Sequence, residues 1–251
     1  MSEPIITVKD LRVAYGDFVL FDDISFEVNK GDVFIIMGAS GCGKSSLLRV
    51  LTGLVVPVKG DVLVDGKEFS RAGAQEKNAI MQKCGVMYQS GALFSSMTLK
   101  ENVKMPLELY SSFNAKEIDE IASYKLALTG LAGFDDFYPS EISGGMKKRA
   151  ALARALALSP KILYCDEPSA GLDPISSKRL DDLISELNQT LGTTFVIVTH
   201  ELQSIFSIGT NSIFLDGKIK NITGRGNPNA LLKNPPNEEI YEFLTRGKKN
   251  D

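Results

Sequence analysis

Eight residues, GASGCGKS from Gly38 to Ser45, place one lysine and one hydroxyl among small residues in the spacing G-x-x-x-x-G-K-S. Phosphate oxygens need several backbone N–H donors at close range, and glycines let the chain curl tightly enough to point them inward. The apolar run VFIIM precedes the stretch and the helical pattern KSSLLRVLTGL follows it, the strand, loop and helix order that a phosphate cradle requires. On this reading Gly38, Ala39, Ser40, Gly41, Cys42, Gly43, Lys44, Ser45 and Ser46 hold the phosphates of a nucleotide. Lys44 takes the β- and γ-phosphates, the Ser45 hydroxyl takes Mg2+, and the helix starting near Lys44 adds its positive end. Cys42, inside the loop at that helix start, is expected to have a lowered pKa and to be a reactive thiol that ATP protects.

A second run, ILYCDE, ends an apolar strand in Asp166 and Glu167. Asp166 is placed to anchor Mg2+ through water. Glu167, on the other side of an extended chain, is placed to accept a proton from an attacking water. A third run, TTFVIVTH, ends at His200, the single histidine of the chain. Ligands of doubly wound sheets lie beyond the carboxyl ends of the parallel strands. VFIIM, ILYC and FVIVT are therefore expected to converge on one γ-phosphate, where the imidazole donates to a phosphate oxygen and holds the water or Glu167 in place.

The elements that must carry these groups are legible in outline. Residues 5–37 alternate short β-branched or aromatic runs with turn residues such as Asp22-Asp23, and Asp65-Gly66 marks a hairpin of type I′. From about Gly91 to Leu158 strand signals give way to helical ones. Strand character returns at KILYCDEP. Asp173 and Pro174 then open a helix with an apolar stripe at Leu180, Leu183, Ile184, Leu187 and Leu191, closed by Gly192. A second hairpin signal lies at Asp216-Gly217. This order predicts an α/β core carrying a mostly helical insert.

The totals exclude several classes. A net charge of −3 over 251 residues, with a pI near 5.4, argues against a nucleic-acid partner. Cys42, Cys84 and Cys165 have neither disulfide-framework nor C-x-x-C spacing, which fits reduced cytosolic thiols. The start MSEPIITVKD lacks a leader pattern and no apolar run approaches ~18 residues, so the chain is expected to be neither secreted nor membrane-spanning by itself.

ISGGMKKR, ending at Arg149, resembles the signature of ABC transporter ATP-binding subunits, usually LSGGQ, with Ile142 for Leu and Met146 for Gln. Ser143, Gly144 and Gly145 at a helix start form a second anion site in one chain. The resemblance implies one ABC ATPase domain over 1–251. Within it, 1–90 and 159–251 form a P-loop NTPase (RecA-like) core with an antiparallel β subdomain, and 91–158 form a helical subdomain carrying the signature. It further implies that two copies pair head to tail, the signature of one covering the ATP of the other. Tyr15 matches the aromatic residue that stacks on adenine, and Gln89 the glutamine that reaches Mg2+ and water. Asp173 matches an acid at the dimer interface, although helix capping accounts for it equally. Lys147, Lys148 and Arg149 sit in a first helical turn, where cations are disfavoured, so they either face nucleotide or form a solvated cluster. GALF, residues 91–94, either presents apolar surface to an integral-membrane permease or packs in the core.

Within the family the stretches YQSGALFSSMTLKENV, SGGMKKRAALARALAL and DEPSAGLDPI resemble the ATPases of Mla/Mce-type phospholipid transporters, where Met in place of the signature Gln is habitual. That likeness implies two permease subunits and a periplasmic MCE lipid-binding protein as partners, a peripheral place on the cytoplasmic face of the inner membrane, and phospholipid movement between inner and outer membranes. Two other readings are the ATPase of an amino-acid or other small-solute importer, and a non-transport ABC ATPase of the cell-division type. The C-terminal part departs more from relatives, with only a short tail expected after Phe243.

Overall fold

In a computed structural model of the chain, residues 3–247 are described and separate into two compact units. One comprises residues up to Ile80 together with those from Thr194 onward, the other Met81–Thr193. In chain order the elements begin with β1 (Pro4–Tyr15), β2 (Phe18–Asn29), β3 (Val33–Gly38), α1 (Lys44–Leu51), β4 (Lys59–Val64), β5 (Lys67–Glu68) and α2 (Ala74–Met81). They continue with β6 (Cys84–Met87), α3 (Leu99–Tyr110), α4 (Ala115–Leu128), α5 (Gly144–Ala155), β7 (Ile162–Asp166) and α6 (Pro174–Leu191). The last are β8 (Thr194–Val198), α7 (Leu202–Ile208), β9 (Asn211–Asp216), β10 (Asn221–Arg225), α8 (Pro228–Lys233) and α9 (Glu238–Thr245). The final residues, 248–251, lie outside the described part of the chain.

The first unit holds an antiparallel sheet in the order β2-β1-β4-β5. The sequence pattern predicts a turn at Asp22-Asp23, but the chain does not turn there; β2 runs through it as one strand of 12 residues. The aspartates sit instead at an irregularity, with Asp23 at φ 59 and, across the ladder, Asp10 at φ 47. The Ser25 hydroxyl accepts from the Asp10 N–H at 2.8 Å and donates to the Asp10 carboxylate, replacing the interrupted ladder bonds. The β4–β5 hairpin is the expected one, with Asp65 and Gly66 both left-handed. Beside it in the same unit run β10-β9-β3-β8, where β3 is parallel to both β8 and β9. Every residue of β3 and β8 is buried, the signature of parallel strands covered on both faces. β9 and β10 form the second hairpin with a four-residue loop, 217–220, whose Lys218 and Ile219 N–H groups donate to the Asp216 carboxylate.

In the second unit α3 and α4 each start from a capping box, Thr98 with Glu101 and Asn114 with Glu117. Leu99, Val103 and Leu107 of α3, Ile118, Ala122 and Leu126 of α4, and Ala150 and Ala153 of α5 meet in one apolar core. The small residues of α5 let it lie close to its neighbours. β6 and β7 pair in parallel, Val86 opposite Tyr164 and Met87 opposite Cys165. The capped ends of α6 are as expected, Asp173 accepting from the Ile175 and Ser176 N–H groups and Gly192 closing at φ 66. Its stripe buries Leu180, Ile184 and Leu187 but leaves Leu191 exposed in the last turn. Residues 91–158 thus lie inside a larger compact unit that also contains β6, β7 and α6. Among the described residues no helix is long and apolar enough to cross a membrane.

Candidate active site

The phosphate loop leaves β3 at a point where two glycines are sterically required. A Cβ on Gly38 would lie 2.4 Å from the Leu215 carbonyl oxygen and 2.8 Å from the Cys42 sulfur. Gly43, at φ 98, is the N-cap of α1, and a Cβ there would lie 2.6 Å from the Phe21 ring. Gly43 has no side chain with which to cap α1, so the helix start carries no N-cap side-chain bond, the kind of start that suits an anion. Lys44 is buried, and its ammonium donates to the Gly38 and Ala39 carbonyls, each at 2.9 Å. Ala39, Ser40 and Gly41 are exposed at the mouth, and Ser45 and Ser46 are half-buried.

Cys42 is not the reactive thiol its position predicts. It is 3% exposed, and burial raises its pKa by more than the adjacent Lys44 lowers it. The cause is packing: the side chain turns inward, with its sulfur near Gly38 and its Cβ near Gly217, at the distances a Cβ on those glycines would meet. Cys165, fully buried on β7, has its thiol pushed further up by desolvation. Alkylation at pH 8 followed by peptide mass spectrometry is therefore expected to modify half-buried Cys84 first, with Cys42 slow even without ATP; faster labelling of Cys42 than of Cys84 would overturn this burial.

In the same unit Ile36 of β3 lies opposite Val198 of β8, so the phosphate loop and His200 leave the sheet at one edge. His200 is exposed, its Nε2 3.7 Å from the Glu201 carboxylate, which lies 3.7 Å from the Arg246 guanidinium. Tyr15 ends β1 opposite Phe18 and keeps its ring 47% exposed, open to a stacking partner.

The second unit assembles the acidic groups. β7 ends at Asp166, which lines an open cleft of about 530 Å³ with Tyr88, Gln89, Ser90, Ala170 and Gly171. Gln89 and Asp166, placed on Mg2+ from sequence alone, thus share one wall. Glu167 departs from expectation in its backbone. The chain is not extended there but left-handed, at φ 48, and the side chain is buried. Its carbonyl accepts from the Ala170 N–H at 3.2 Å, which closes a turn and aims the residue away from the strand direction. A buried glutamate in a sparsely populated conformation is a feature of sites where geometry is held for chemistry.

Ser143 caps α5, its hydroxyl accepting from the Met146 N–H at 3.3 Å, and Ser143 and Gly144 are exposed. The basic run beyond them is not a cluster. Lys147 is exposed, Arg149 donates to the Gly130 carbonyl, and Lys148 is buried on the opposite side of the helix, donating to the Gln89 and Glu167 carbonyls. Lys148 therefore neither faces solvent nor forms a surface patch. Helical phase alone does not show this, because buried residues stand three and four positions after each of Lys147, Lys148 and Arg149. Asp173, another position with two readings, is observed as a helix cap, and bonding from Ser176 holds its carboxyl below the usual range.

Among the described residues no three His, Cys, Asp or Glu side chains gather as a metal site. This donor set suits a hard cation that arrives with nucleotide: Mg2+ keeps waters and takes one or two protein oxygens plus phosphates. A strand-ended glycine loop with a buried lysine, a helix start without a side-chain cap, and an acidic strand end make this chain a P-loop nucleotide hydrolase. The ABC transporter family matches residues 21–170, and the chain belongs to that family as an ATP-binding, ATP-hydrolysing subunit. It is 41% identical over 239 residues to the "probable ribonucleotide transport ATP-binding protein mkl" of Mycobacterium leprae, covering 95% of this chain and 68% of that protein. It is 38% identical over 245 residues to the intermembrane phospholipid transport system ATP-binding protein MlaF of Haemophilus influenzae, covering 97% of this chain and 91% of that one. The fold matches the ATP-binding cassette MJ0796, solved as a post-hydrolysis dimer with ADP and Pi, at TM-score 0.79 and 28% identity over 88% of this chain and 98% of that one.

Proposed function

We propose that this chain hydrolyses ATP to drive phospholipid between the inner and outer membranes, acting through a membrane permease and an MCE-type lipid-binding protein from the cytoplasmic face of the inner membrane. The observation that carries this reading is the end-to-end likeness to MlaF, 97% of this chain on 91% of that protein. Two copies pair head to tail, a reading that the dimeric structure of the cassette MJ0796 supports, with Ser143, Gly144 and Gly145 of one copy over the ATP held by the other. Residues 91–158 act as the helical subdomain. In GALF, Leu93 packs on the helical core while Phe94 remains 46% exposed, a division that leaves one aromatic for a permease.

In the site, Lys44 and the loop N–H groups hold the β- and γ-phosphates, Tyr15 stacks on the base, and Ser45 with Asp166 and Gln89 holds Mg2+, Asp166 through water. When bound, the ion neutralises charge developing on the phosphates. Glu167 takes the proton of the attacking water and His200 orients that water and a phosphate oxygen.

A different cargo is favoured by one observation, the ribonucleotide-transport name of the Mycobacterium leprae relative. Purification from native membranes in mild detergent, with mass spectrometry of proteins and lipids, separates the readings. Co-purification of a permease, an MCE protein and bound phospholipid is expected. A solute permease with its binding protein, a nucleotide carrier, or division proteins without lipid would overturn the cargo and leave the ATPase chemistry intact.

A further inference from the structure

We propose that Lys148 is a positioning residue for hydrolysis, tying the backbones of Gln89 and Glu167 to the helix that begins with the ISGG signature. The proposal rests on the roles given above to Gln89 and Glu167. Lys148 lies on the inward face of α5, is 7% exposed, and donates from Nζ to the Gln89 carbonyl and, at 3.4 Å, to the Glu167 carbonyl. One side chain thereby holds the loop that carries the glutamine and the turn that carries the glutamate.

The same helix fastens the loop twice more. Arg154 donates from its two terminal nitrogens to the Ala92 carbonyl at 2.7 Å and the Gly91 carbonyl at 2.9 Å. A Cβ on Gly91 would lie 3.3 Å from the Ala151 Cβ, so the loop sits directly on the helix. Arg154 reaches only the loop, whereas Lys148 reaches both the loop and the acid.

Stability does not account for a lysine here. A buried ammonium gives up water, which holds the Lys148 pKa below its ordinary value, and the two carbonyls together with the nearby Glu167 charge return only part of that loss. A methionine would fill the same space without that cost. What the lysine adds is geometry. The Glu167 carbonyl is held in a left-handed turn, at φ 48, and fixing that carbonyl fixes the direction in which the carboxylate leaves the chain. α5 is a rigid element whose capped start, at Ser143, lies about one and a half helical turns from Lys148. A ligand ordering that start is thus registered at Gln89 and Glu167 together.

The test is steady-state ATPase kinetics of K148M, K148R and E167Q, with melting curves and nucleotide binding measured on the same preparations. K148M is expected to keep its melting temperature and KM for ATP and to lose kcat by about tenfold or more, because misplacing a reacting group by an ångström costs on that order. K148R, which keeps donors at the end of an apolar stem, is expected to recover part of kcat. A folded K148M with kcat within about twofold of wild type, or a loss confined to KM, would overturn the proposal. Should K148M fail to fold, K148Q is judged by the same split. E167Q keeps the two failures apart: normal hydrolysis by E167Q removes the role of Glu167, whereas a silent E167Q beside a normal K148M removes only the role of Lys148.

Discussion

Glu167→Gln is expected to bind ATP as wild type does and to lose turnover by about 10²- to 10⁴-fold, the range general base catalysis supplies. The substitution is nearly isosteric, so a side chain buried to 9% exposure keeps its packing, and the left-handed backbone at φ 48 is no worse for glutamine than for glutamate. What is lost is the oxygen able to take a proton from water. A protein that binds but does not hydrolyse accumulates in its nucleotide-bound state, so gel filtration with ATP and Mg2+ is expected to shift E167Q from monomer to dimer and hold it there. Hydrolysis within about tenfold of wild type would sink this assignment.

The parts of this fold that were legible in the sequence are those whose signals are local. The glycine spacing of the phosphate loop, the Asp173-Pro174 start and Gly192 end of α6, and the Asp65-Gly66 turn each depend on the backbone freedom or capping chemistry of residues next to one another. What was misread depends on chain brought from elsewhere. Cys42 is buried because parallel pairing of β3 and β9 delivers Leu215 and Gly217 to the loop, and nothing near residue 42 announces them. Asp22-Asp23 has turn chemistry, yet β1 supplies a bulged partner that keeps the strand running. The left-handed turn at Glu167 is closed by the Ala170 N–H and by Lys148, so an extended strand end was the natural but wrong expectation. Lys148 belongs with these: buried residues follow three and four positions after each cation of the run, and what sets Lys148 apart is the Gln89 loop and the Glu167 turn brought onto it from elsewhere in the chain.

Lys44→Met is expected to give the reverse of E167Q, a folded protein that ATP no longer stabilises. The Lys44 ammonium bonds the Gly38 and Ala39 carbonyls; methionine keeps the stem in place, and the exposed Ala39 retains access to water. The melting temperature without ATP should therefore hold within a few degrees. With ATP near 100 times Kd, wild type gains about 2.7 kcal/mol. For a protein of this size that is a rise of roughly 5–10 °C. A charged hydrogen bond to phosphate contributes about 1.5–3 kcal/mol, so its loss weakens binding by roughly 10- to 150-fold and removes about half to nine-tenths of that rise at the same ATP concentration. E167Q, by contrast, keeps the full rise. Lys44→Arg divides charge from shape: it keeps the cation but replaces a compact ammonium with a planar fork, which the close carbonyl pair does not fit, so it should recover little of the ATP-induced shift. A K44M protein that ATP stabilises as strongly as wild type would mean that Lys44 is not the counter-charge of the phosphates and that its bonds to the loop carbonyls are its whole role.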